Sequence, residues 1–171
     1  MEPINLIVIG HLPQIKAGFA SHGWLMAERL GPLSLIKALA ASVLDLPYSR
    51  GPFSPSYVNG RKFILGLQHP TASNTFRRRH HLRLWETPCR LHGQPVWVGT
   101  ASYDRSIGLS SHGIPTHHIA PSLQWEEEFL AKSLRKKPAY LKLGEPLDSS
   151  LQIGDHYKFD GMALVLDMTT A

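Results

Sequence analysis

The chain has 171 residues, of which 43% are hydrophobic and 18% are charged, and its net charge is +5. This length and composition exclude a largely disordered chain and predict one globular domain over residues 1–171. Its only cysteine, Cys89, excludes an intramolecular disulfide and a zinc site built from several cysteines. The positive charge favours anionic partners but does not choose among small molecules, lipid headgroups and nucleic acid.

The sequence predicts neither a secretory leader nor a membrane span. The start of the chain lacks the basic residues of a signal peptide. The longest apolar run, residues 33–46, contains Lys37 and Asp45, and it is shorter than the roughly 20 residues that cross a bilayer. We therefore expect a soluble domain without a signal peptide, either cytoplasmic or membrane-associated as part of a larger assembly.

The first third of the chain predicts a strand followed by two helices. Residues 3–9 are apolar and precede Gly10, which is typical of a buried strand. Residues 13–22 have the apolar spacing of a helix, and Gly23 is a natural end for it. Residues 33–46 predict a second helix that is apolar on most faces. We expect this helix to be buried in the core, with a position on a membrane surface as the alternative.

The middle of the chain predicts four short strands, at residues 56–58, 62–68, 80–86 and 95–103. Asn59-Gly60 predicts a tight turn between the first two strands. The last two strands form an antiparallel hairpin in which residues 87–94 are the connection. Residues 106–115 are rich in glycine and serine, and we expect a flexible loop there.

The C-terminal part predicts a helix at residues 122–137, followed by strands at 140–143 and 162–168. Ser122 can cap this helix, and the acidic residues 126–128 near its start suit the helix dipole, so we give those charges a structural role. The chain mixes strand–helix and hairpin connections. It therefore predicts an α+β fold in which helices pack on a central mixed and largely antiparallel sheet.

The most unusual chemistry lies between residues 77 and 118. Residues 77–85 contain four arginines and two histidines, and the second half of this segment alternates like a strand. The strand period places Arg79, His81 and Arg83 on one face, and the predicted hairpin places Asp104 on the same face. The candidate catalytic residues are therefore His81, Asp104 and His117, and the candidate ligand-binding residues are Arg79, Arg83, Arg105 and His118.

Three kinds of site fit these residue types. The first is a pocket in which the arginines bind phosphate or carboxylate; in a phosphoester hydrolase, His81 would be the acid or base and Asp104 would orient it. The second is a divalent-metal site of His81, Asp104 and either His117 or His118, although no diagnostic metal-binding spacing is present. The third is a Ser-His-Asp arrangement with Ser102, which is disfavoured because the motif Gly-x-Ser-x-Gly is absent.

The same residues also have a structural interpretation. Arg79, Arg83 and Asp104 can pair across neighbouring strands, with His81 as a satisfied hydrogen-bond partner. Against this, several basic groups on one face repel each other unless acids or an anion offset them. Nucleic acid is disfavoured as a partner, because the sequence has no recognised nucleic-acid-binding motif and no ladder of exposed aromatic residues.

Short sequence blocks along nearly the whole chain carry a family resemblance. They read NLIVIG at 5–10, GW at 23–24, SPSY at 54–57, RHHLRLW at 79–85, PVWVG at 95–99, ASYD at 101–104 and THHI at 116–119. In these blocks and their order the chain resembles the LssY C-terminal domain family. One departure is Ala120, where family members often carry an acidic residue, so a role for that acid does not transfer. The resemblance implies a domain often fused behind membrane-embedded parts similar to phosphatidic acid phosphatases, without an established activity.

The sequence thus predicts a domain that binds a small anionic or phosphorylated ligand such as a lipid headgroup. If the domain is a phosphoester hydrolase, it would also cleave this ligand. No cofactor is predicted beyond the divalent metal of the second alternative. The rival hypothesis is a non-catalytic accessory or protein-interaction domain that works beside a membrane enzyme, with a membrane protein as its partner. An open cleft around the predicted residues would favour the first hypothesis, and a closed, ion-paired cluster would favour the second.

Overall fold

The computed structural model describes residues 2–72, 76–109, 115–150 and 156–169. Within these residues the helices are α1 (Leu12–Ala20), α2 (Pro32–Leu44) and α3 (Leu123–Ser133). The strands are β1 (Leu6–Ile9), β2 (Leu25–Met26), β3 (Tyr57–Val58), β4 (Arg61–Lys62), β5 (Leu65–Pro70), β6 (Arg79–Leu91), β7 (Gln94–Leu109), β8 (Pro115–Ile119), β9 (Ala139–Lys142), β10 (Leu147–Ser150), β11 (His156–Phe159) and β12 (Met162–Asp167).

Eight strands form one mixed sheet in the order β2-β5-β6-β7-β1-β12-β9, with β8 paired to β7. β1 and β12 run parallel, and the other neighbouring strands run antiparallel. The predicted α+β fold with a mixed, largely antiparallel sheet is therefore confirmed. Two small sheets, β3–β4 and β10–β11, lie outside the main sheet, and the predicted Asn59-Gly60 turn joins the first of them.

The β6–β7 hairpin is longer than the sequence predicts. Residues 87–94 are not a loop, because both strands continue to a two-residue turn at His92-Gly93. The φ angles of 49° and 80° at these residues suit the tight hairpin turns that match strand twist. An irregularity in pairing between Glu86 and Arg90 interrupts the strand pattern. The predicted loop 106–115 is also partly wrong: residues 106–109 belong to β7, and 110–114 lie outside the described residues.

One face of the main sheet carries the hydrophobic core. Alternate residues of β6, such as Leu82 and Leu84, are completely buried on that face. α1 contributes Ile15 and Phe19 to the same cluster, and α3 contributes Leu130. The two helices therefore cover this face, and the side chains at the intervening strand positions point to the opposite face.

The prediction that α2 is a core helix is wrong. Ser34 and Ala41 are its buried residues, whereas Leu33 and Ile36 are each 66% exposed and Leu39 is 61% exposed. Ser34 and Ala41 are seven positions apart, so they share one side of the helix. α2 therefore lies on the rest of the protein through its small residues and turns its large apolar residues outward.

Candidate functional site

The face of the main sheet opposite the core carries polar and charged side chains. The β6–β7 register sets Arg79 opposite Asp104, His81 opposite Ser102 and Arg83 opposite Thr100, and Gln68 on β5 flanks His81. Directly opposed residues of antiparallel strands share a face. We call this set the polar cluster: Gln68, Arg79, His81, Arg83, Thr100, Ser102 and Asp104. The predicted arrangement of β6 and β7 residues on one face is confirmed, while their functional roles stay predictions.

Arg79 and Asp104 form a buried ion pair within the polar cluster. Arg79 Nε donates to Asp104 Oδ2 over 3.0 Å, and Arg79 Nη1 donates to Gln68 Oε1 over 2.9 Å. The rings of Phe53 and Phe76 lie 4.9 and 4.6 Å from the guanidinium carbon. Burial lowers the pKa of Arg79, and the charge of Asp104 opposes that shift. The pair is 5% and 1% exposed, so its two charges compensate each other away from solvent.

His81 lies between three polar side chains. Arg83 Nη1 donates to His81 Nε2 over 3.2 Å, which assigns the ring proton to Nδ1 because a guanidinium only donates. His81 Nδ1 lies 3.4 Å from Asp104 Oδ1, and Ser102 Oγ lies 3.1 Å from Nε2. This is the connectivity of a Ser-His-Asp triad. However, Ser102 is 1% exposed and Arg83 engages the nitrogen that would accept the serine proton, so nucleophilic attack is disfavoured.

Glu2 completes the polar cluster, and the sequence analysis missed it. Ser102 Oγ donates to Glu2 Oε2 over 3.1 Å, and Glu2 Oε1 lies 3.8 Å from both His81 Nε2 and Arg83 Nη1. The side chains of Glu2 and Arg83 are 14% and 15% exposed, so they form the side of the cluster nearest to solvent. β1 pairs with β7, and the residues before β1 therefore continue along β7 towards Ser102. No local sequence pattern reveals this pairing.

Three predicted site residues lie beyond this arrangement. The β7–β8 register shifts between Asp104 and Ser106, and Arg105, at the shift, is exposed. His118 is half-buried and lies opposite Ser106, beyond the shift. The backbone of His117 lies in β8 opposite Ile107 of β7, but its side chain is outside the described part of the structure. The polar cluster therefore contains four of the seven predicted residues: Arg79, His81, Arg83 and Asp104.

The described side chains do not form a metal site. Among them, no group of three or more His, Cys, Asp or Glu is arranged to hold a metal ion. The two carboxylates of the polar cluster, Glu2 and Asp104, each face an arginine. A metal ion in the cluster would have to compete with these guanidinium groups for the carboxylates. The predicted metal set with His117 includes a side chain that the structure does not describe.

The core face carries a second set of ionisable groups. His80 Nδ1 lies 2.7 Å from Glu126 Oε2, and the His80 ring stacks on Phe129 with 3.6 Å between ring centroids. Glu126 and the fully buried Glu127 follow Ser122, whose side chain makes no capping hydrogen bond. Burial raises the pKa of Glu126 well above its usual range and that of Glu127 to about 8, and it lowers the pKa of His80 to about 4. Burial therefore favours the uncharged form of each of these groups, which a helix-dipole pattern does not reveal.

A shallow cavity of about 260 Å³ lies towards the other end of β6. It is lined by Arg61, Lys62, Ile64, Trp85, Glu86, Thr87 and Pro88. None of these residues belongs to the polar cluster. The cavity therefore gives no access to the four predicted residues that the structure brings together.

Comparison with known proteins identifies one family. A family model for the LssY C-terminus matches residues 1–163, which include all the sequence blocks quoted above. No curated protein and no solved structure matches the chain. The match covers nearly the entire sequence, and the chain therefore belongs to the LssY C-terminus family.

Proposed function

We propose that this protein is a non-catalytic accessory domain that binds an anionic membrane surface through α2 and so works beside a membrane enzyme. One observation carries the proposal: α2 turns its large apolar side chains away from the protein. The hydrolase hypothesis needs an open cleft at the polar cluster, and the closed, ion-paired cluster favours the accessory role instead.

The outer face of α2 is the largest exposed apolar feature along one element of the described structure. Seven large side chains in and just after the helix are 45–67% exposed: Leu33, Leu35, Ile36, Leu39, Val43, Leu44 and Leu46. We call them the apolar outer face. Full burial of one such side chain is worth about 1.5–3 kcal/mol. A contiguous patch of this kind is typical of a surface that binds a partner or a membrane.

Polar contacts hold α2 to the domain and leave the apolar outer face exposed. Near its start, the Ser34 hydroxyl donates to the Arg29 carbonyl over 2.9 Å. Near its end, the Arg77 guanidinium donates to the Ser42 carbonyl and lies 3.5 Å from an Asp45 carboxylate oxygen. These contacts join the two ends of the helix to neighbouring segments without burying its large apolar residues.

The charges around α2 favour a lipid surface over a neutral apolar partner. Basic residues outnumber acidic ones in α2 and in the segments that flank or contact it: Arg29, Lys37, Arg50, Arg77 and Arg78 against Glu28 and Asp45. Lys37 lies 3.6 Å from Glu28 and Arg77 lies 3.5 Å from Asp45, so the excess positive charge comes from the other three arginines. Anionic lipids attract basic side chains near the surface by about 1 kcal/mol each. Apolar side chains with a basic border are typical of helices that lie in a membrane interface. In the described residues no helix has the length and apolar character to cross a membrane.

The polar cluster supports this role by fixing the segment that follows α2. The Gly51 carbonyl accepts hydrogen bonds from Gln68 Nε2 over 3.1 Å and Arg79 Nη1 over 3.4 Å. Phe76, which packs on Arg79, stacks on Tyr48 with 5.7 Å between ring centroids. A Cβ at position 51 would collide with the Phe76 ring, so this close approach requires glycine. The buried charges therefore hold the residues next to α2.

Vesicle sedimentation tests the proposal. The protein should co-sediment with vesicles of phosphatidylcholine and phosphatidylglycerol, and roughly tenfold less with phosphatidylcholine alone, because the basic border needs anionic lipid. The double variant Ile36→Glu, Leu39→Glu should lose binding to both, because it places two carboxylates in the apolar outer face.

A control is the double variant Leu141→Glu, Leu143→Glu, which alters two leucines outside α2 that are 50% and 45% exposed. It should bind vesicles like the unmodified protein. Equal loss of binding in both double variants would contradict the assignment to α2. A dimer in solution that the α2 variant abolishes, without vesicle binding by the unmodified protein, would make the apolar outer face an interface between two copies and overturn the proposal.

A further inference from the structure

The two arginines of the polar cluster differ in how closely they contact their partners. Arg79 contacts Asp104 at 3.0 Å and has a second bond, of 2.9 Å, to Gln68. Arg83 faces the Glu2 carboxylate at 3.8 Å, which is beyond hydrogen-bond distance. The half of the cluster around Arg79 is therefore tightly bonded, whereas the half around Arg83 is loosely bonded and lies nearer to solvent.

Two buried donors in this looser half make no hydrogen bond to the described residues. They are Arg83 Nε and Thr100 Oγ1. Thr100 is 2% exposed and lies directly opposite Arg83 across the β6–β7 pair. A buried donor without an acceptor costs about 1–3 kcal/mol. This half of the cluster can therefore bond to more acceptor oxygens than the two that Glu2 supplies.

We propose that Glu2 covers a binding site for a phosphate group, and that a phosphate monoester displaces its carboxylate. Arg83, Thr100 and Ser102 would donate to the phosphate oxygens. A phosphate monoester has three terminal oxygens and close to two negative charges, so it satisfies more donors and compensates Arg83 more fully than a carboxylate does. Phe53, whose ring lies 5.1 Å from the Arg83 guanidinium carbon, would shield this contact from water.

Glu2 can leave its position without disrupting the sheet. It precedes β1, which pairs with β7 from Leu6 to Ile9. Its side chain is 14% exposed, and its contact with Ser102 is one hydrogen bond of 3.1 Å. The Arg79–Asp104 pair needs no rearrangement when Glu2 moves, so the site can open while the core of the cluster stays closed.

Titration calorimetry with inorganic phosphate tests this proposal on the full chain. Glu2→Ala should bind phosphate roughly tenfold tighter than the unmodified protein, because it removes the competing carboxylate. The double variant Glu2→Ala, Arg83→Met should lose phosphate binding. Glu2→Ala with Thr100→Val should bind more weakly than Glu2→Ala without a loss of stability, because the Thr100 hydroxyl has no partner in the described structure.

Glu86→Ala is the matched control, since Glu86 is an acid on β6 that pairs with Arg90 away from the cluster. It should leave phosphate affinity unchanged. If Glu2→Ala remains folded and binds phosphate no better than the unmodified protein, the site does not exist. Phosphate binding that survives Arg83→Met places the anion elsewhere and also overturns the proposal. Glu2→Gln, which keeps the shape of the side chain, replaces Glu2→Ala under the same criteria if the alanine variant does not fold.

Two sources of the phosphate group are distinguished by the probe. If short-chain phosphatidic acid binds Glu2→Ala more tightly than inorganic phosphate does, the ligand of this site is a lipid headgroup. If the two bind with equal affinity, the ligand is a free phosphate. This site is independent of vesicle binding by α2. Ile36→Glu, Leu39→Glu should therefore keep the phosphate affinity, and Glu2→Ala should still sediment with phosphatidylglycerol vesicles.

Discussion

The polar cluster and the apolar outer face of α2 reverse the usual distribution of side chains in opposite ways. In the cluster, the charged residues Arg79 and Asp104 are at most 5% exposed, whereas on α2 Leu33 and Ile36 are 66% exposed. The buried charges have partners on neighbouring strands, so the fold itself accounts for them. The exposed leucines have no such explanation within the described structure. The comparison teaches that the two inverted regions need different explanations: partners within the fold account for the buried Arg79–Asp104 pair, whereas the exposed apolar side chains of α2 call for a partner outside it.

The largest expected effect comes from breaking the buried ion pair. Asp104→Ala leaves the Arg79 guanidinium buried without its counter-charge, which should lower the free energy of unfolding by about 3–5 kcal/mol. Urea denaturation measures this. Glu86→Ala removes a more exposed ion pair with Arg90 and should cost less than about 0.5 kcal/mol. Similar small losses in both variants would show that the cluster does not support the fold.

A smaller effect on stability is expected from Glu127, one of the two buried acids of α3. The pKa of Glu127 is raised from 4.5 to about 8, so the folded state holds this proton more tightly than the unfolded state. The stability that the group contributes is complete below pH 4.5 and is lost as the pH rises towards 8. His80, with its pKa lowered from 6.5 to about 4, acts in the opposite direction and only below pH 6.5.

Denaturation between pH 6.5 and pH 8 therefore isolates Glu127 from His80. Glu127→Gln should remove at most about 2 kcal/mol of the decline over this range. Any decline that remains in this variant is expected from Glu126, whose pKa burial also raises. Glu128→Gln, which changes the exposed neighbour on α3, should leave the decline as it is. An unchanged pH dependence in Glu127→Gln would mean that Glu127 is not protonated in the fold.

The smallest expected change in stability lies on α2. Ile36→Ser should alter the free energy of unfolding by less than about 0.5 kcal/mol, because the side chain is already exposed. Leu84→Ala, in the core, should cost about 2–5 kcal/mol. Thermal or urea denaturation compares the two. A large loss in Ile36→Ser would show that the outer residues of α2 serve folding rather than binding.

Alternation along β6 and β7 was enough to predict which residues share the polar face. The period of two is local, and it placed Arg79, His81, Arg83 and Asp104 together correctly. Glu2 could not be found in this way, because its position depends on the pairing of β1 with β7, which are distant in sequence. The ends of the hairpin were missed because the irregular pairing between Glu86 and Arg90 interrupts the alternation.

The helices show a different limit. An apolar run such as residues 33–46 predicts a helix, but its composition does not distinguish a core helix from one that binds an external surface. The small residues Ser34 and Ala41 marked the inner side of α2, although that signal was weaker than the many leucines. On α3, a match to the helix dipole was a sufficient explanation for the acidic residues, and it concealed the burial of Glu126 and Glu127.

The most direct test of the docking role places a probe on the apolar outer face. In a Cys89→Ser background, Leu39→Cys carries an environment-sensitive fluorophore, and the same fluorophore on the exposed native Cys89 is the control. Phosphatidylcholine–phosphatidylglycerol vesicles should shift the emission at position 39 to shorter wavelength and leave that at position 89 unchanged. Unchanged emission at position 39, or equal shifts at both positions, would contradict the membrane-binding role of α2.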